Sequence, residues 1–300
     1  MTALGDKSFT ADGLLNAMTV DVEEHFQVSA FDGSVSRDDW HQHPSRVIDN
    51  TNRLLDMLDD ASVKATFFVL AWIAEKYPRI VGDIARRGHE IASHGYAHRL
   101  VYTQSPDEFR EETRRSQCLL QDQCGQPVVG YRAASFSIGA SNLWALDVLA
   151  DLGFQYDSSI FPIVHDRYGM PNAPRRVHAV KTSSGATIVE VPPSTLRFGK
   201  VNIPIAGGGY LRFLPLSLTS RAIRRLNSRD ESPAIVYIHP WEIDPGQPRL
   251  SGPWLSRFRH YTGLNGTRRK LTGLMQTFRF GPVSEIIEEV LPSNSSRPPA

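Results

Sequence analysis

Short apolar runs and amphipathic helices take turns along the first half of this chain, and that alternation constrains the fold more than any single residue. Asn16 to Val22 reads as a buried strand that ends among acids. Between Pro44 and Asp60, Val47, Ile48, Thr51, Leu54, Leu55 and Leu58 recur at helical spacing. Lys64 to Leu70 is a continuous apolar strand, the kind a parallel sheet buries on both faces. Ala71 to Arg87 predicts a helix broken at Pro78 and closed by Gly88. The same order returns twice. A strand at His89 to Ser93 precedes a helix opened by Ser105-Pro106-Asp107-Glu108, with acids in its first turn, that runs to about Cys124. A strand at Val128 to Arg132 precedes a helix from Ser141 or Asn142 to Leu152, and Phe154 to Asp157 is a further strand. The expectation is an α/β fold built on a parallel sheet or barrel.

After Asp157 the pattern loosens. Val177 to Val191 predicts a hairpin around Ser183-Ser184-Gly185, Pro215 to Asn227 a helix, and Ala234 to Ile238 a buried strand. Gly246 to Gly266 reads as a loop, and Thr267 to Thr277 and Val283 to Val290 as helices. Residues 1–15 read as a loose leader and 291–300 as a disordered tail. A chain of 300 residues with 41% hydrophobic and 22% charged residues can bury a large core. A net charge of +1 provides no global field for nucleic acid, and no nucleic-acid partner is expected. The clusters Arg114-Arg115, Arg224-Arg225 and Arg268-Arg269-Lys270 read as solvated helix faces, and the last could also touch an anionic membrane. The longest apolar run, Ala65 to Ala74, falls short of the about 20 residues that cross a bilayer. Cys118 and Cys124 read as free thiols, and no secretory leader is visible, which points to the cytoplasm. Gly207-Gly208-Gly209 lacks the strand-turn-helix order and the Lys of a phosphate cradle.

Chemistry gathers at the predicted strand ends. Asp21, Glu23 and Glu24 follow the first strand, His94 and His98 the third, and Arg132, Asp157 and His239 close others. In parallel α/β folds those ends converge on one face. Two His four residues apart share a face on one helical turn and can hold one metal ion. With a carboxylate they make three protein ligands, leaving positions for water and substrate. A second carboxylate could take a proton from that water, and a His from the far side could protonate a leaving amine. Each residue alone could be structural; Asp21 or Glu24 could simply pair with Arg132, and His239 could be a core His.

The order and content of these stretches resemble the polysaccharide deacetylases of the chitooligosaccharide-deacetylase homology class, carbohydrate esterase family 4. The similarity rests on Thr19-Val20-Asp21-Val22-Glu23, Ser93-His94-Gly95-Tyr96-Ala97-His98, Tyr131-Arg132-Ala133-Ala134-Ser135, Tyr156-Asp157-Ser158-Ser159 and Tyr237-Ile238-His239-Pro240-Trp241. It covers about residues 16–245, with 246–290 as an extension packed on the barrel. Four strings resemble a subgroup tied to exosortase and exopolysaccharide loci: residues 19–31, Gly207 to Arg212, His239 to Glu242, and His260 to Asn265. The resemblance implies a distorted (β/α) barrel of about seven strands, a divalent metal (zinc), and N-deacetylation of an N-acetylhexosamine glycan, polymer or lipid-linked precursor. It implies His94, His98 and Glu23 as metal ligands, with Glu24 the alternative acid. Asp21 becomes the base oriented by Arg132, and His239 the acid held by Asp157. Val22 separates Asp21 from Glu23, where the family has adjacent acids; alternate strand residues share a face, so both can enter the site. Ala134 and Ser135 replace the Pro and Tyr of the third motif, leaving the Ser135 backbone N–H as oxyanion donor. Trp40, Trp72, Trp241, Trp254 and Tyr210 could line a sugar cleft. A lipid-linked glycan would bring the protein to the inner membrane face as a peripheral partner. The rival readings are an allantoinase-like amide hydrolase on the same barrel and a glycan-binding protein without catalysis.

Overall fold

The computed structural model describes residues 13–165, 167–205 and 207–291. Residues 1–12 of the expected leader and 292–300 of the expected tail lie outside it. The strands are β1 (Asn16–Val22), β2 (Thr66–Val69), β3 (Glu90–Ser93), β4 (Gly130–Tyr131), β5 (Tyr156–Asp157), β6 (His178–Lys181), β7 (Thr187–Glu190), β8 (Thr195–Phe198), β9 (Val201–Pro204), β10 (Ile235–Ile238) and β11 (Phe280–Gly281). The helices are α1 (Val47–Asp60), α2 (Ala71–Lys76), α3 (Arg79–Arg86), α4 (Pro106–Cys124), α5 (Trp144–Asp151), α6 (Gly208–Phe213), α7 (Leu216–Arg229), α8 (Trp254–Tyr261), α9 (Leu264–Thr277) and α10 (Val283–Val290).

The main sheet runs β10-β1-β2-β3-β4-β5-β7-β6, with β11 also bonded to β1. Every pair except β6–β7 is parallel. The sheet curls into an open half-barrel, the distorted (β/α) barrel expected from sequence. Its first half follows the expected alternation element by element, with several strands shorter than expected. Pro78 does split one predicted helix into α2 and α3. The Ser105 and Glu108 side chains form a reciprocal cap on α4, and Gly125 ends that helix at φ +69°.

Two departures lie in the second half. The predicted loop Gly246 to Gly266 contains α8, which starts after Pro253. The β8–β9 hairpin was not foreseen, because its strands carry mixed, partly exposed residues. The triple glycine has a steric purpose. Gly207 bridges to Tyr237 on the free edge of β10, and a Cβ at Gly207 would strike the Tyr237 ring. Gly208 takes φ +48° beside the same ring. The main core packs α1 to α5 against one face of β1 to β3, with Phe67, Leu54, Leu55, Ile84 and Leu120 fully buried. β1 is buried along its whole length between β10 and β2.

Candidate active site

The site stands at the carboxyl ends of β1, β3, β4 and β10. Thr19, Asp21 and Glu23 alternate along β1 and past its end, so they share a face. Arg132, fully buried just past β4, reaches across the interior over the Phe68 ring, 4.1 Å from its centroid. Its Nη1 donates to Asp21 Oδ1 at 2.6 Å and to Thr19 Oγ1 at 2.8 Å, and Nη2 donates to Ser158 Oγ at 2.9 Å. One oxygen of Asp21 is therefore committed to the guanidinium. The other, Oδ2, faces His239 Nε2 at 3.8 Å.

His94 and His98 do not sit on a helical turn. They flank a loop after β3 in which Gly95 has φ +75° and His98 φ +51°. Left-handed backbone at a non-glycine residue is uncommon and must be held by its surroundings. Here the first N–H groups of α2 hold it: Ala71 donates to Gly95 O at 2.9 Å and Trp72 to Tyr96 O at 3.0 Å. Arg37 donates to the Ala97 and His98 carbonyls, both at 2.9 Å. The resulting turn brings the two imidazole centroids to 5.5 Å.

Glu23, His94 and His98 each present a ligand atom within 4.8 Å of the others, and all three are buried. The set fits a divalent cation on two observations. His94 Nδ1 lies 2.8 Å from the Arg132 carbonyl, which can only accept, so Nδ1 carries the proton and Nε2 keeps its lone pair for a cation. Glu23 Oε2 lies 3.0 Å from His98 Nε2 but has no aligned hydrogen-bond donor among the described residues. Its other oxygen, Oε1, accepts from Trp241 Nε1 at 3.1 Å. Burial would raise the Glu23 pKa, but the charges of His98 and His239 outweigh it and hold the carboxyl at about 2. Burial lowers His94 to about 4, keeping it neutral. Two imidazoles and a carboxylate are a zinc-type donor set. Glu24, the alternative acid, is turned away: its carboxylate binds Ser45 Oγ and the Arg46 N–H before α1.

Asp157 does not touch His239. Its carboxylate accepts from Ser159 Oγ at 2.5 Å and Ser159 N at 3.2 Å, and it pairs with Glu190. Burial raises both acids above the ordinary carboxylate range. The carboxylate is turned into the wall of the barrel, toward Ser159 and Glu190, and away from β10. Glu242 takes the expected place instead. His239 Nδ1 donates to Glu242 Oε1 at 2.6 Å, and Arg212 Nε donates to Glu242 Oε2 at 2.7 Å. Burial would lower the His239 pKa, but the Glu23 charge and the Glu242 hydrogen bond raise it to about 9. Arg212 in turn donates to the carbonyls of His260 at 2.6 Å and Thr262 at 2.9 Å. The strings Gly207 to Arg212, His239 to Glu242 and His260 to Asn265 thus meet in one buried network.

Trp241 is buried yet lines the cleft. Its indole stacks between His239 and His260, at centroid distances of 5.1 and 4.1 Å, and holds Glu23. Ser135 lines the cleft with φ +50°, and Phe136 follows at +53°. Ser135 Oγ shares a 2.7 Å hydrogen bond with Ser29 Oγ. Sequence reasoning missed Ser29, Arg212 and Glu242 as site residues. Glu242 carried a signal, three positions after His239 at the start of a short helical turn. The cleft encloses about 450 Å³.

Residues 38–156 match the polysaccharide deacetylase family model, and residues 158–288 match a domain of unknown function, DUF3473. Asp21 and Glu23 precede the first match, and His239 and Glu242 lie in the second, so the site draws on three stretches. Over 75 residues, a quarter of the chain (25%), the sequence is 40% identical to a peptidoglycan-N-acetylglucosamine deacetylase of Bacillus cereus, covering 27% of that protein. Over 100 residues, 33% of the chain, it is 29% identical to a chitooligosaccharide deacetylase of Bradyrhizobium, covering 43%. The chain therefore spans less than half the length of either relative. A solved Mycobacterium smegmatis structure assigned to the polysaccharide deacetylases superposes with TM-score 0.59 at 23% identity, covering 95% of this chain and 94% of that one. The allantoinase Puue superposes with TM-score 0.55 at 17% identity, over 92% and 90%. At these identities the two structures share the fold.

Proposed function

We propose, for a chain that carries a polysaccharide deacetylase domain, that it hydrolyses the acetamide C–N bond of N-acetylhexosamine residues in an exported polysaccharide or its lipid-linked precursor. The observation that carries this reading is the Glu23–His94–His98 triad with Asp21 Oδ2 and His239 Nε2 beside it, 3.8 Å apart. Glu23, His94 and His98 would hold a divalent cation, zinc by donor set, which supplies Lewis acidity toward the acetamide carbonyl and the attacking water.

The chain's own groups do the proton transfers. Asp21 Oδ2, the oxygen not occupied by Arg132, takes the water proton. The Ser135 N–H donates to the oxyanion as the carbonyl carbon becomes tetrahedral. His239 Nε2–H protonates the nitrogen as the C–N bond breaks, while Glu242 keeps Nδ1–H in place. Acetate and a free amine leave. The free thiols Cys118 and Cys124 suit a cytoplasmic site of action. Among the described residues no helix is long and apolar enough to cross a membrane.

The deciding experiment offers the purified protein a panel of N-acetylated oligosaccharides beside allantoin, with acetate assayed and products read by mass spectrometry. Acetate release from the oligosaccharides is expected. Turnover of allantoin with intact oligosaccharides would move the chain to the amide-hydrolase class.

The acid has its own signature. Glu242→Gln removes a negative charge that raises the His239 pKa. The acid must be protonated, so activity falls as pH rises through its pKa, and lowering that pKa moves the alkaline limb to lower pH. At pH 8 the variant should lose on the order of tenfold in kcat/KM, with a smaller loss at pH 6. A uniform loss at all pH values would assign Glu242 a structural part only.

A further inference from the structure

Charge is unevenly divided along the chain. Between Val191 and Ser284 stand fourteen Lys and Arg against four Asp and Glu, although the whole chain carries only +1. From Pro245 to Ser284 there is no acid at all, against seven basic residues. α8 lies inside that run with its outer face uncovered. Trp254, expected at the sugar cleft but not among its lining residues, is 76% exposed, Phe258 54% and Leu255 40%. Phe258 lies one turn on from both Trp254 and Leu255, so its ring adjoins both. Phe213, 42% exposed at the end of α6, stacks on Phe258 with centroids 6.1 Å apart. Arg257 and Arg259 are exposed on the same helix and enter no ion pair among the described residues.

This patch is the rim of the cleft: Phe213, Ser256 and Arg259 also line it. We propose that α8 and Phe213 form a docking surface for an anionic lipid bilayer, which brings the cleft mouth to a membrane-borne glycan. The second clause rests on the deacetylase reading; the first does not. Aromatic and aliphatic side chains beside unpaired Arg, with no acid near in sequence, suit the interface of an anionic leaflet. A two-fold pairing of this face with a second copy would set Arg257 and Arg259 against their own kind. A neutral glycan would leave both Arg without partners, and Leu255 and the two Phe have no polar tip for sugar hydroxyls.

The test is co-sedimentation of the full chain with phosphatidylglycerol-rich vesicles and with pure phosphatidylcholine vesicles. The protein should sediment with the first and not the second, and less so at high salt. The double variant Trp254→Ser, Phe258→Ser should bind at least about tenfold more weakly, and Arg257→Gln about fivefold. Both should release acetate from a soluble N-acetylated oligosaccharide at the wild-type rate. Undiminished vesicle binding by the double variant overturns the proposal, as does binding lost only when Phe198 and Val201 of the β8–β9 hairpin are changed. A concentration-dependent dimer abolished by the same double variant would assign the face to self-association instead. Vesicle binding without acetate release from any glycan would keep the docking surface and sink the deacetylase reading.

Discussion

His94→Ala is expected to strip bound metal and activity together. The substitution leaves two protein ligands, Glu23 and His98, of the three whose donor atoms lie within 4.8 Å. Loss of an outer-shell partner alone weakens metal affinity about 10- to 100-fold, and loss of a ligand should exceed that. The Arg132 carbonyl also loses the donor that holds it at 2.8 Å, at a cost of about 1–3 kcal/mol for a buried unsatisfied acceptor. Elemental analysis of purified protein, acetate release and thermal melting read the three effects separately. Glu24→Gln is the matched comparison, because Glu24 binds Ser45 and the Arg46 N–H and not the triad; it should keep its metal. A His94→Ala protein that purifies with a full complement of metal would refute the ligand assignment.

Asp21→Asn should part metal from chemistry. The amide keeps the shape and one acceptor for Arg132 but cannot take a proton. Removal of a general base costs about 10²- to 10⁴-fold, which sets the expected loss in kcat with metal retained. A second effect follows from burial. Arg132 is fully enclosed, and Asp21 is its charged partner at 2.6 Å. Removing one member of a buried pair typically costs about 3–5 kcal/mol, so the variant should melt well below the wild type. The rate must therefore be read at a temperature where both proteins are folded. Near-normal acetate release from folded Asp21→Asn would remove Asp21 from the chemistry.

The sequence made the barrel legible wherever strands run parallel and buried, because the apolar runs that form β1 to β3 are continuous and separated by well-capped helices. It made the triad legible because strand ends converge. It could not give distances across the sheet. Asp157 and Arg132 both close strands, yet only the long Arg side chain reaches the far side; Asp157 stays in its own wall with Glu190. The partner of His239 was missed because Glu242 is local and the expected partner was remote. The His pair was legible as a pair, but its geometry comes from the left-handed turn at Gly95 and His98 and from α2 beneath it, not from a helical turn. Trp241, expected among cleft-lining aromatics, does line the cleft, and its indole N–H also holds Glu23. α8 escaped notice because Gly, Pro and Arg around it mask a helix of eight residues.

β1 is the strand that carries Asp21 and leads to Glu23, and it bonds to β2, to β10 and to β11. Two of those three neighbours come from residues more than two hundred positions later in the chain. Loop closure over such separations is slow compared with local pairing. During synthesis, β1 and β2 can associate early, but the other edge of β1 stays open until Ile235–Ile238 and Phe280–Gly281 have been made. Asp21 therefore cannot meet His239, nor Glu23 its Trp241 donor, until the chain has been made past residue 241.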